Sequence, residues 1–84
     1  MISNNKWVVS GTVTDIGIEK GYFEIVVKGN ISRPSLYNLK GVISCIVPYR
    51  LCKSITIGTY VTVKGKLTLG SQNYMTAEEF RDDI

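Results

Sequence analysis

The sequence predicts an all-β fold: a five-stranded Greek-key barrel with a short helical plug between its third and fourth strands. Apolar and polar residues alternate over several stretches, which is the period of half-buried strands. Clusters of glycine and other turn formers separate those stretches. No segment carries a helical period beyond one or two turns. The 84 residues, 44% of them hydrophobic, suffice for one core but not two, so a single domain over residues 1–84 is expected.

Residues 6–16, KWVVSGTVTDI, form the first strand, with Trp7, Val9, Gly11 and Val13 on its inner face. That parity favours burial of Trp7. Gly11 in mid-strand implies a bulge or sharp bend, as a strand serving two sheets requires. Residues 17–21, GIEKG, turn the chain into YFEIVVK, where Phe23, Ile25 and Val27 point inward and Tyr22, Glu24, Val26 and Lys28 outward. Residues 29–41 are rich in turn formers, include Pro34, and read as a loop. VISCIVPY is the third strand, stopped at Pro48.

Leu51 and Ile55 then stand four apart, the spacing of one or two helical turns plugging a barrel end. In the fourth strand Val61, Val63 and Leu67 alternate with Tyr60, Thr62, Lys64 and Lys66. A tight GSQN connection leads to the fifth, YMTAEEF. A bent first strand, five strands in all and a plug between the third and fourth describe the OB-fold, whose usual ligands are oligonucleotides and oligosaccharides. An SH3-like barrel, which generally lacks the plug, is the structural alternative.

The formal net charge is only +3, but it is unevenly spread. Residues 25–77 hold Lys28, Arg33, Lys40, Arg50, Lys53, Lys64 and Lys66 and no Asp or Glu. Residues 78–84 hold Glu78, Glu79, Asp82 and Asp83 against Arg81 alone. A field of one sign over most of a domain points to a polyanionic partner, because surfaces that need only solubility mix their signs. Phosphate backbones are the usual such partner.

No apolar run approaches the roughly 18 residues of a membrane span. The N-terminal residues show no basic region followed by an apolar block. A cytoplasmic protein with no membrane partner is expected. Cys45 and Cys52, in a chain with no histidine, are too few for a four-ligand zinc site. Cys45 lies in an apolar strand pattern and reads as a small core residue, and a reducing compartment disfavours a disulfide. Neither a metal nor a cofactor is implied.

Catalysis is not expected either. General-base work would fall to Asp15, Glu19 or Glu24, which cluster around the first turn and read as ordinary surface residues. The glycines of GIEKG precede a strand, not a helix, so they form neither a P-loop nor a dinucleotide fingerprint. The stronger signal is aromatic and basic residues together. Tyr22, Tyr37, Tyr49, Tyr60 and Tyr74 are interleaved with the seven basic residues of the middle segment. A sequence-tolerant single-strand binder needs a positive groove for phosphates and flat side chains on which bases stack. Lys28, Arg33, Lys40, Arg50, Lys53, Lys64 and Lys66 are therefore candidates for the backbone, and the five tyrosines for the bases.

Three stretches, GTVTDI, IGTYVTVKGKL and YMTAEEF, resemble the bacterial single-stranded-DNA-binding proteins and their small relative, primosomal replication protein B. In that family the fourth strand opens near a glycine, alternates apolar positions and reaches a second glycine before the closing hairpin. Gly58, Val61, Val63, Gly65 and Leu67 match that pattern, and Ala77, Glu78 and Phe80 match the usual end of the fifth strand. The resemblance covers most of the chain, but its motifs are chiefly structural. It implies the OB-fold, single-stranded-DNA binding and a homodimer or homotetramer. Larger members carry a glycine-rich tail with an acidic tip, which FRDDI resembles only faintly, and often an extended hairpin where this chain has four residues. Both departures favour a minimal binding module.

The expected function is thus single-stranded-DNA binding with little sequence specificity, in DNA replication, primosome assembly or mobile-element maintenance. A helicase, primase or polymerase is the natural protein partner. Two alternatives stand beside it. One is an RNA-binding OB module. The other is a protein-interaction subunit that never touches nucleic acid, suggested by the outward apolar residues Val42 and Ile46.

Overall fold

Alternation along each strand decides which side chains the barrel encloses. The computed structural model describes residues 6–33 and 37–83. They form β1 (Trp7–Ile18), β2 (Tyr22–Arg33), β3 (Tyr37–Pro48), β4 (Tyr60–Thr68) and β5 (Tyr74–Asp82). The strands close in the order β1-β2-β3-β5-β4, with β4 returning to β1. All pairings are antiparallel except that of β3 with β5. The architecture is the expected five-stranded Greek-key barrel.

Inward positions supply the core, among them Val9, Val13, Ile25, Val27, Cys45, Val47, Val61, Val63 and Met75, and no polar residue is buried among the described residues. β4 divides as its pattern requires: Val61 and Val63 are buried, Leu67 half-buried, and Lys64 and Lys66 exposed. In β5 the register slips by one, so that Lys64 faces Glu79 and Gly65 faces Ala77. This bulge at Glu78 shifts the phase of the strand, and both Ala77 and Phe80 therefore reach the core cluster.

Three expectations need correction. Among the described residues there is no helix, so the plug between β3 and β4 is not helical and nothing is long and apolar enough to cross a membrane as a helix. Leu51 and Ile55 still pack against the core, held by turns such as the 2.9 Å bond from the Leu51 amide to the Pro48 carbonyl. A first helical turn fixes several residues for a single hydrogen bond, and so short a connection cannot recover that cost.

Residues 29–41 are not a loop. β2 and β3 stay paired out to Arg33 opposite Tyr37, and Ile31 faces Leu39 on the inner side. Cross-strand pairing of these apolar residues outweighs the turn-forming character of their neighbours. Pro34 lies outside the described residues.

The bulge of β1 falls at Thr14, between Val13 and Asp15, not at Gly11. Gly11 serves a different purpose. It lies opposite Gly29 of β2, which in turn lies opposite Gly41 of β3. A Cβ on Gly11 would stand 2.3 Å from the Lys28 carbonyl oxygen, and one on Gly29 would stand 2.1 Å from that of Ser10. The two strands bend into each other here, at a distance only glycines permit.

Candidate nucleic-acid interface

On the outer side, strand register assembles two rows of side chains across β4, β1, β2 and β3. Tyr60 faces Thr12, Thr12 faces Lys28, and Lys28 faces Val42. In the next row Thr62 faces Ser10, Ser10 faces Asn30, and Asn30 faces Lys40. With strands about 4.8 Å apart, each row extends roughly 14 Å. All of them but Thr62 line an open groove of about 700 Å³ over the three aligned glycines.

The groove walls hold two lysines, a tyrosine, an asparagine and the hydroxyls of Ser10, Thr12 and Thr14, and no carboxylate. Lys28 and Lys40 are exposed, as is Tyr60 at 46%. The Ser10 and Thr62 hydroxyls stand 3.4 Å apart, and the Thr14 hydroxyl donates to the Val26 carbonyl at 3.3 Å. The Gly11 and Gly29 backbones form the floor. The arrangement offers cations for phosphate, one ring for stacking and neutral donors and acceptors between them.

Of the candidates read from the sequence, the fold brings Lys28, Lys40 and Tyr60 together in this groove. Lys64 and Lys66 extend along the exposed face of β4, opposite Glu79 and Thr76 of β5, beyond the groove lining. Arg33, at the far end of β2, holds its guanidinium 6.0 Å from the Trp7 ring centroid, within cation–π range. Trp7 itself is half-buried and packs against the core.

Arg50 and Lys53 are exposed in the β3–β4 connection. Tyr22 is half-buried opposite Pro48, and Tyr74 half-buried between Thr68 and Ser44. Tyr49 is engaged internally: its hydroxyl donates to the Glu19 carbonyl, its amide to the Gly21 carbonyl, and its ring stands edge-on to Phe23 at 4.8 Å. The side chain of Tyr37 lies outside the described residues.

Ser10, Thr12, Thr14 and Asn30 escape a reading by residue type, because short polar residues on a strand look like ordinary outer surface. The signal that could have found them is register: three glycines at matching positions of successive strands. That signal appears only once residues 29–41 are read as strands.

Two ion pairs stand elsewhere on the barrel among the described residues. Lys6 donates to Glu78 across the surface, and that bond raises the Lys6 pKa and lowers that of Glu78, whose carboxylate also feels Lys66 and Arg50. Arg81 Nε lies 2.8 Å from Asp83. Burial pushes the Cys45 thiol up to about 12, which suits a core residue and not a nucleophile. No group of ligands fit for a metal ion occurs among the described residues.

No known protein-family profile matches the sequence, and no curated protein does. Solved structures do match in fold. One, from the Stn1–Ten1 complex of S. pombe, superposes with a TM-score of 0.67 at 21% identity, over 93% of this chain and 58% of that one. Another is the dimeric N-terminal domain of PriB from Thermoanaerobacter tencongensis, with a TM-score of 0.59 at 19% identity, over 98% of this chain and 99% of that one. The chain has the OB-fold. The lysine-bearing groove lies on the outer face of β1, β2 and β3. The present chain spans little more than half the length of its Stn1–Ten1 counterpart.

Proposed function

We propose that this OB-fold binds single-stranded DNA, with little sequence preference, along the β1–β2–β3 groove. The observation that carries this reading is the groove lining itself: Lys28, Lys40 and Tyr60 together, with no carboxylate among them. Two lysines supply sequence-independent attraction to phosphates, and a tyrosine accepts any base on its ring. Direct readout of base edges would need a denser set of fixed polar groups than Asn30 and a few hydroxyls provide. Lys64, Lys66, Arg33, Arg50 and Lys53 contribute to the field that draws the strand in, and they extend its track beyond the groove. The resemblance to primosomal replication protein B supports a place in DNA replication, primosome assembly or mobile-element maintenance in the cytoplasm.

The test is fluorescence anisotropy with labelled oligo-dT over a range of salt concentrations, with matched RNA as competitor. The log of affinity should fall linearly with log salt, by about 0.7 for each phosphate neutralised. Failure to bind even at low salt sinks the reading, and a preference for the RNA competitor replaces DNA by RNA as the ligand.

A further inference from the structure

β3 is covered along only part of its length. β5 pairs with it at Ser44, Cys45 and Ile46, and among the described residues no strand pairs with the same edge of residues 37–43. A bare strand edge is a template for another strand, and proteins that keep one bare usually blunt it with lysines, proline, bulges or inward charges. From Asn38 to Ile43 this edge carries one outward lysine, Lys40, and no proline, bulge or inward charge: its inward residues are Leu39, Gly41 and Ile43. Beside it opens an apolar hollow of about 380 Å³ lined by Leu39, Val42, Leu67, Leu69 and Trp7, among others, again without a carboxylate. Leu39 is 54% exposed, Val42 60% and Leu69 70%, more than a lone domain gains from.

Gly41 adds an independent observation. A Cβ there would meet only the Ile31 Cδ1 atom, at an ordinary 3.7 Å, and its φ is not positive. Nothing inside the barrel requires a glycine at this point of the strand. Glycine in a strand otherwise marks the close approach of another backbone.

We infer that the β3 edge, residues 39–43, pairs antiparallel with the same edge of a second copy, about a two-fold axis at Gly41. A two-fold axis perpendicular to the sheet sets one residue opposite its own copy. Centred on Lys40, such pairing opposes two like charges, which destabilises. Centred on Val42, it would need Ser44, whose edge β5 already occupies. Centred on Gly41, it sets Lys40 beside Val42 of the second copy and Leu39 beside Ile43 of the second copy. The lysines then lie over a methyl-bearing neighbour and the exposed apolar residues are covered. A stable interface buries roughly 800 Å² per partner, about a seventh of the 5597 Å² surface. The edge alone is too narrow for that, so the apolar hollow beside it is covered as well.

Directly opposed residues of an antiparallel pair point to the same side of the sheet. The two grooves therefore lie on one face and meet at the axis, with Lys40 and Val42 of each copy at the junction. One continuous basic track results, and in this respect the inference deepens the single-strand reading, though the interface stands without it. The fold neighbour from T. tencongensis, matched over nearly its full length, is itself dimeric.

The experiment compares the wild-type chain with Val42→Lys and Val42→Glu by sedimentation velocity from 1 to 200 µM, with circular dichroism to check the fold. Val42→Lys faces Lys40 of the second copy and should weaken the dimer at least tenfold. Val42→Glu faces the same lysine and should leave the dimer intact or tighten it. A wild-type monomer at every concentration overturns the inference, as does a dimer indifferent to the sign of the new charge. Gly41→Ala, which the barrel itself accommodates, should weaken the dimer because its methyl group stands where the second backbone approaches; a dimer unchanged by it also counts against the inference. Affinity for oligo-dT should rise more steeply with oligonucleotide length in the wild type than in Val42→Lys, and equal slopes remove the joined track. If no oligonucleotide binds but the two charge variants part as stated, the interface holds and the single-strand reading falls.

Discussion

Gly11 faces Gly29 across β1 and β2 so closely that a methyl group on either would overlap the other strand's backbone: the Ser10 carbonyl oxygen is 2.1 Å from where a Cβ on Gly29 would sit. The obstacle is backbone, which cannot swing aside as a side chain can. Gly29→Ala should therefore destabilise the fold by about 1–3 kcal/mol, the usual cost of overpacking. For a chain of this size that lowers the melting temperature by about 4–8 °C per kcal/mol. Gly41→Ala meets only ordinary contact and should change stability by less than about 0.5 kcal/mol. Thermal unfolding of the two variants side by side checks the contrast.

Removing the groove cations should change salt dependence before anything else. Lys28→Gln with Lys40→Gln should weaken oligo-dT binding and lower the log–log salt slope by about 0.7 for each phosphate no longer neutralised. Lys64→Gln with Lys66→Gln removes equal charge from outside the groove and should alter the slope less. Equal effects from the two pairs would move the strand onto β4.

Tyrosine substitutions should separate binding from folding. Tyr60→Ala should cost about 1–3 kcal/mol of binding free energy with little change in slope, since stacking releases few counterions. Tyr49→Phe loses the hydrogen bond to the Glu19 carbonyl and should cost about 1 kcal/mol of stability. Its affinity for DNA should stay unchanged, as titration and denaturant melts on the same two variants will tell.

Thiol chemistry reads the core directly. A disulfide-forming probe at pH 8 should label Cys52 in the native protein, which is only half-buried, and spare Cys45. Cys45 is sealed inside the barrel, and burial holds its pKa near 12, so almost none of it is thiolate at that pH. In denaturant both should react. Two fast thiols in the native state would show that the β3–β5 seam at Cys45 opens within the labelling time.

The acid limb of stability should show Glu78. Its folded pKa lies below the unfolded one because Lys6 donates to the carboxylate. That contribution is present above the unfolded value and fades as pH falls through the depressed folded value. The pair is exposed, so the effect is small. Glu78→Gln should flatten the acid limb of the stability profile in denaturant melts, and an unchanged profile would mean that the pair does not persist in water.

Much of the barrel was legible because alternation is a local property. Val61, Val63, Lys64 and Lys66 take their sides of β4 whatever the rest of the chain does. Residues 29–41 were not legible in the same way. Their glycines, asparagines and serines signal turns one at a time, and only the pairing of Ile31 with Leu39 and Gly29 with Gly41 makes them strands. The phase of Phe80 depends on a bulge opposite β4, which no single strand reveals. The site was harder still. Lys28, Lys40 and Tyr60 look no different from Lys53 or Tyr49 in sequence, since what unites them is register across four strands.

Among the described residues three pairs close the far side of the barrel, Ser44–Tyr74, Cys45–Met75 and Ile46–Thr76. Such a seam is the natural place for the structure to breathe, because few hydrogen bonds must break together. When it parts, β1, β2 and β3 keep the twelve-residue pairing of β2 with β3 and the shared register of β1. Opening there would leave Lys28 and Lys40 in register on β2 and β3. Amide protons at residues 74–76 will exchange with solvent well before those of Val27 or Ile43, and a bound strand would ride on the stiff half of a barrel whose other half is elastic.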